Sequence, residues 1–151
     1  MEFVTKDQVL LDQNAQSREE VLLTLCAKAV SLGIARDQEE VLSSFMQREA
    51  LGATGLIDGF AVPHAKSDAI VKPAVMVLKN RTKVDWPSFD EGPVDIVVAL
   101  FVPGEENKEE HIRMLSKTAV LLMDSQFRSR LREADDPAKI AAAFNHELCG
   151  E

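Results

Sequence analysis

The chain has 151 residues, 46% hydrophobic and 28% charged, which suits one globular domain with a buried core. A formal net charge of -8 at pH 7 argues against nucleic acid as the main partner, and against an anionic membrane surface, because both call for a basic footprint. No run of about 18 apolar residues occurs, and Met1-Glu-Phe-Val-Thr-Lys-Asp7 lacks the charged-then-apolar order of a signal peptide, so a cytoplasmic protein is expected.

No repeat, low-complexity stretch or Pro/Gly-rich linker divides the chain, so residues 1–151 read as one domain. Val9-Leu-Leu11 is a short apolar run and a first strand. Ser17-Arg-Glu-Glu20 matches a capping box. The helix after it places Leu22, Leu25, Cys26 and Ala29 on one face and stops near Gly33. Asp37 caps a second helix bearing Val41, Leu42, Phe45 and Met46, which ends before Gly52. Thr54 to Lys66 mixes two glycines and a proline with apolar residues and predicts loop and strand edge. Strands are expected at Ala74–Leu78, around Val84, and at Val94–Val102, whose nearly unbroken apolar run suits a central strand covered on both faces. Asn107-Lys-Glu-Glu110 resembles a further cap, followed by Ile112, Leu115, Ala119 and Leu122 at helical spacing. Two more helices are expected near Ser125–Ala134 and Pro137–Leu148. The pattern is α/β: a mixed sheet of about five strands flanked by helices.

Cys26 reads as core filler and Cys149 as part of a frayed terminus. The three histidines differ. His146 lies opposite the stripe of Ile140, Ala141 and Phe144 and reads as a surface residue. His64 follows Pro63, between the small residues Ala61 and Ala65. Proline fixes the backbone angle there, so His64 is either a reactive group on a stiff, open segment or a satisfied histidine at a strand end. His111 starts the helix after the central strand, one turn before Leu115. It either faces inward across the strand ends, where ligands gather in α/β folds, or is a surface residue of the helix start. Arg48, running into the glycine-bearing loop, is either a forked phosphate clamp or a cation serving a helix C-terminus.

The run Arg48-Glu-Ala-Leu-Gly-Ala-Thr-Gly-Leu-Ile-Asp-Gly-Phe-Ala-Val-Pro-His-Ala-Lys-Ser67 resembles the signature of fructose/mannitol-type IIA domains of the phosphoenolpyruvate-dependent sugar phosphotransferase system. Val98-Ala-Leu-Phe-Val-Pro103 with Glu110-His-Ile-Arg-Met-Leu-Ser116 is similar to that family's second block. The resemblance covers essentially the whole chain, and the wording of Asp58–Ser67 is closer to fructose-type members than to mannitol-type ones. It implies that His64 is the phosphorylated nucleophile, that His111 donates to the phosphoryl oxygens and that Arg48 is an outer clamp. It also implies a donor, the carrier HPr, an acceptor cysteine on a cognate IIB domain, and an indirect link to a membrane IIC permease. A nitrogen-branch IIA regulator, phosphorylated at the same histidine, resembles the same motifs and is the alternative.

Phosphoryl transfer from one histidine to another rests on positioning and on charge met at the phosphoryl oxygens. Histidine titrates near ~6.5, so a neutral imidazole nitrogen is at hand near neutral pH. No cofactor and no metal are expected: Glu110 and His111 are adjacent and would diverge on a helix, which does not make a zinc site. Leu56 or Phe60 is expected among exposed apolar residues of a docking patch.

Overall fold

The computed structural model describes residues 2–105 and 109–150, apart from the side chains of Glu110 and His111. After a 3-10 turn at Lys6–Gln8 come β1 (Val9–Gln13), α1 (Arg18–Ser31), α2 (Gln38–Leu51), β2 (Phe60–Ala61) and β3 (His64–Ser67). They are followed by β4 (Ala74–Val84), β5 (Val94–Pro103), α3 (Glu109–Leu121), α4 (Ser125–Glu133) and α5 (Pro137–Cys149). Asn107 and Lys108 of the cap expected at Asn107–Glu110 lie outside the described residues, and Glu109 and Glu110 begin α3.

The helix ends form where side chains or crossing bonds satisfy the free backbone groups. The Ser17 hydroxyl accepts the Glu20 N–H and the Asp37 carboxylate accepts that of Glu40, both at 3.1 Å. Each such cap stabilises its helix by roughly 1 kcal/mol. Gly33 N–H bonds to Val30 O and Ile34 N–H to Ala29 O, the paired bonds that close α1. At the end of α2 the chain continues extended through Gly52, so that helix stops without a left-handed residue.

Five strands form one mixed sheet in the order β1-β4-β5-β2, with β3 also on β5. β1 runs parallel to β4, β2 and β3 run parallel to β5, and β4 and β5 pair antiparallel. The segment expected around Val84 is the far end of β4, continuous with Ala74–Leu78 after a register shift. β5 is central, as expected from its apolar run.

Side chains alternate between two cores, following the two-residue strand period. Met76, Leu78, Val97, Ala99 and Phe101 pack with Val21, Leu25, Val41 and Phe45 of α1 and α2. Val75, Val77, Ile96, Val98 and Leu100 pack with Leu115 of α3, Phe127 of α4 and Phe144 of α5. Burying each Val, Leu, Ile or Phe contributes roughly 1.5–3 kcal/mol before chain entropy is counted. Phe45 meets Phe101 edge-on at 5.1 Å between ring centres, fastening α2 to the central strand.

Cys26 is fully buried, and burial pushes its thiol up to about 12. Cys149 is not frayed: it is the last residue of α5, half-buried against the second core. His146 is exposed on α5, on the side away from Ile140 and Phe144.

Candidate functional site

β2 and β3 are two pieces of one edge strand. The pairing offset along β5 is the same on both sides of the break, Ala61 opposite Val97 and His64 opposite Leu100. Val62 and Pro63 interrupt it. Pro63 has no N–H to give, which only an edge tolerates, and its carbonyl accepts the Leu100 N–H at 2.9 Å. The Val62 N–H turns the other way and donates to the Thr54 carbonyl at 3.0 Å. His64 is thereby the first residue after the interruption, half-buried at the margin of the sheet.

Arg48 reaches His64 from the last turn of α2. Its Nε–H donates to the His64 Nε2 at 2.9 Å, and its Nη1 donates to the Gly52 carbonyl at 3.1 Å. The Nδ1 of the same ring lies 3.3 Å from the Val62 carbonyl oxygen. A nitrogen that accepts a hydrogen bond holds a lone pair, so the neutral ring carries its proton on Nδ1, facing Val62. Two of the sequence-predicted residues, His64 and Arg48, are thus in direct contact. His111 belongs to α3, one turn before the buried Leu115, and its side chain lies outside the described residues.

Behind this pair is a buried polar cluster that sequence reasoning missed. Glu49, its side chain 1% exposed, accepts a short hydrogen bond from the Thr54 hydroxyl and lies 3.5 Å from Arg18. The Trp86 indole N–H donates to the same Thr54 oxygen at 3.2 Å. Glu49 and Thr54 stand within the motif run around Arg48, but only the fold brings Trp86 to them from the β4–β5 connection.

Two glycines shape the loop between α2 and β2. A Cβ on Gly55 would sit 2.5 Å from the Pro87 carbonyl and from the Ser88 side chain, so only glycine lets the two loops touch there. Gly59 has φ +81, and a Cβ there would meet Asp95 at 2.6 Å. Asp95 is in turn gripped by both terminal nitrogens of Arg132, at 2.9 and 3.1 Å.

Phe60 is not an exposed apolar residue as expected. It is 1% exposed and belongs to the second core, because β2 turns it inward beside Ile96. Leu56 is half-buried against the same core. The apolar side chains standing out near this loop are Leu51 and Phe89, 84% and 86% exposed.

Neither His64 nor Arg48 lines the cavities of about 750 and 520 Å³, which lie beside Trp86 and beside Arg128. The pair sits at the margin of the sheet, where residues 54–56 and α2 border the edge strand: the Val62 N–H bonds to the Thr54 carbonyl and the Ser44 hydroxyl donates to the Lys66 carbonyl at 3.0 Å. Among the described residues no three His, Cys, Asp or Glu side chains gather as a metal centre requires.

A family model described as "Phosphoenolpyruvate-dependent sugar phosphotransferase system, EIIA 2" matches residues 2–147. The chain is similar to the 2-O-alpha-mannosyl-D-glycerate-specific EIIABC component of Escherichia coli K12, at 32% identity over 93% of this chain and 21% of that one. It is similar to the fructose-specific EIIA component of Haloferax volcanii, at 29% identity over 84% of this chain and 82% of that one. A nitrogen regulatory protein of Bradyrhizobium diazoefficiens is 30% identical over 92% of this chain and 90% of its own length. The chain spans about a fifth of the length of the EIIABC relative. Among solved structures the fold is similar to nitrogen regulatory protein IIA-Ntr of Neisseria meningitidis, with TM-score 0.82 at 23% identity, covering 94% of this chain and 96% of that one. It is also similar to enzyme IIAMTL of Escherichia coli in its complex with phosphorylated enzyme IIBMTL, with TM-score 0.72 at 20% identity, covering 96% of each chain. These two likenesses concern the fold.

Proposed function

The chain belongs to the EIIA 2 family of the phosphoenolpyruvate-dependent sugar phosphotransferase system, and on that premise we propose that His64 is its phosphoryl carrier. The His64 Nε2 lone pair attacks the phosphorus of phospho-HPr in line. The P–N bond to the donor histidine breaks, its electron pair returns to that ring, and a new P–N bond forms on His64. The second step reverses the geometry: a cysteine sulfur of a IIB domain attacks, and Nε2 recovers its lone pair.

The observation that carries this reading is the hydrogen bond from Arg48 Nε to His64 Nε2 at 2.9 Å, with Nδ1 turned to the Val62 carbonyl. One contact places a lone-pair nitrogen and an anion-binding fork side by side. As phosphorus takes the lone pair, Arg48 loses its acceptor there and finds three phosphoryl oxygens in its place. His111, at the start of α3, is the second donor to those oxygens in this reading. His64 is half-buried at the margin of the sheet and lines neither of the cavities beside Trp86 and Arg128, a placement that suits approach by a partner protein.

The sugar delivered is proposed to be fructose, supported by the wording of Asp58–Ser67 and by the likeness to the fructose-specific component of Haloferax volcanii. A IIC permease then stands downstream of the IIB acceptor. Work between HPr and a IIB domain belongs in the cytoplasm, and among the described residues no helix is long and apolar enough to cross a membrane. A second reading, a nitrogen-branch regulator set by phosphorylation of the same histidine, is favoured by the likeness to the Bradyrhizobium protein along nearly its whole length.

Incubation with phosphoenolpyruvate, enzyme I and HPr, followed by addition of IIB domains of different sugar types, tests the proposal. Uptake followed by discharge onto a fructose-type IIB is expected. Uptake with no discharge onto any IIB favours the regulator, and no uptake overturns both.

A further inference from the structure

Thr54 lies between the two halves of the candidate site and touches neither His64 nor Arg48 through its side chain. It is 4% exposed, and its hydroxyl is committed on both sides. The Trp86 N–H can only donate, so the Thr54 oxygen accepts from it, and the hydroxyl proton is left for Glu49. Glu49 is buried one residue from Arg48 and also faces Arg18 at 3.5 Å. The segment this hydroxyl pins carries two carbonyls that face the site. Gly52 O accepts Arg48 Nη1 at 3.1 Å, and Thr54 O accepts the Val62 N–H at 3.0 Å. The Val62 carbonyl in turn faces His64 Nδ1.

We propose that Thr54 is a positioning residue for His64. Clamped between Trp86 and Glu49, its hydroxyl fixes the 52–54 segment, which holds the Arg48 fork through Gly52 and the tautomer of His64 through Val62, whose N–H is tied to Thr54 and whose carbonyl faces Nδ1. One hydroxyl thus keeps the proton on Nδ1 and the lone pair on Nε2, under Arg48. The inference rests on the carrier reading for its purpose, while the geometry it describes belongs to the unphosphorylated chain.

The test uses the full chain as Thr54→Val, Thr54→Ser and Trp86→Phe. Three quantities are read on each: the ¹⁵N shifts of the His64 ring nitrogens at fixed pH, the melting temperature, and the rate of phosphoryl uptake from phospho-HPr. In wild type the two ring nitrogens should be well separated, as one tautomer requires. In Thr54→Val they should move toward each other, and uptake should fall by about tenfold, since small misplacements of a reacting group are costly. Thr54→Ser should restore both. Trp86→Phe, which leaves residues 52–64 intact, should move the shifts the same way by less. If Thr54→Val does not fold, Trp86→Phe decides alone by the same reading. A single stability loss with unmoved ring shifts and unchanged uptake overturns the inference and leaves the cluster a structural pin. Failure of the wild type to take up any phosphoryl group would instead overturn the carrier reading, and the ring shifts would still report on Thr54.

Discussion

A lysine at position 48 would keep the charge and lose the fork. Arg48 directs two different N–H groups at once, Nε to the His64 ring and Nη1 to the Gly52 carbonyl. An ammonium on a flexible stem cannot hold both directions. We therefore expect Arg48→Lys to be impaired along with Arg48→Ala, the alanine variant by roughly 10² in uptake rate, with melting temperatures close to wild type because the residue is half-buried at a helix end. A lysine variant as fast as wild type would return Arg48 to the role of a cation serving the helix dipole. Cys26 gives a pH prediction of a different kind. Burial raises its thiol from 9.0 to about 12, so folded and unfolded chains are both protonated below the lower value and the contribution to stability is complete there. Above it the unfolded chain loses the proton first, and stability falls by at most about 1.4 kcal/mol per pH unit until the folded thiol also ionises. Unfolding in denaturant at several alkaline pH values should show this slope in wild type and not in Cys26→Ala. Parallel curves for the two would contradict it.

At the scale of elements, α3 offers the sharpest test. Met114 and Leu115 are its buried anchors, so His111→Ala should fold and melt near wild type. Its phosphoryl transfer should slow, by up to roughly 10²–10³ if it loses a preorganised donor. Wild-type rates in both directions from the folded variant would remove His111 from the site. The elements also show what sequence could and could not yield. Helices capped by Ser17 and Asp37 and the apolar run of β5 were legible, because caps and periodicity are local signals. β2 and β3 were legible only as loop and strand edge without bounds, because Gly55, Gly59 and Pro63 are loop signals while the pairing with β5 that sets the strands is long-range. Phe60 was misplaced on the surface for the same reason: without the register against Ile96, nothing says which face it takes. Within the site, His64 and Arg48 were legible as a motif. The contact between them, and the part played by Trp86 behind Thr54, needed the turn of α2 and the β4–β5 connection brought together.

The molecule as a whole is a sheet closed by helices on both faces, which leaves its edges as the places a partner can reach backbone-anchored chemistry directly. An open edge strand invites pairing with another chain, and proteins blunt such edges with prolines and interruptions. Here the interruption at Val62-Pro63 does that, with the Val62 N–H taken by the Thr54 carbonyl, and His64 resumes the pairing opposite Leu100. The two helical layers hold that edge against a core that spans both faces of the sheet, so the ring is carried on a fixed platform. In the proposed reading this one ring carries the phosphoryl group. The direct measurement is intact-mass and acid-lability analysis of wild type and His64→Ala after incubation with phosphoenolpyruvate, enzyme I and HPr. We expect one acid-labile, alkali-stable phosphoryl group on wild type and none on the variant. A folded His64→Ala chain that still takes up one phosphoryl group would contradict the account.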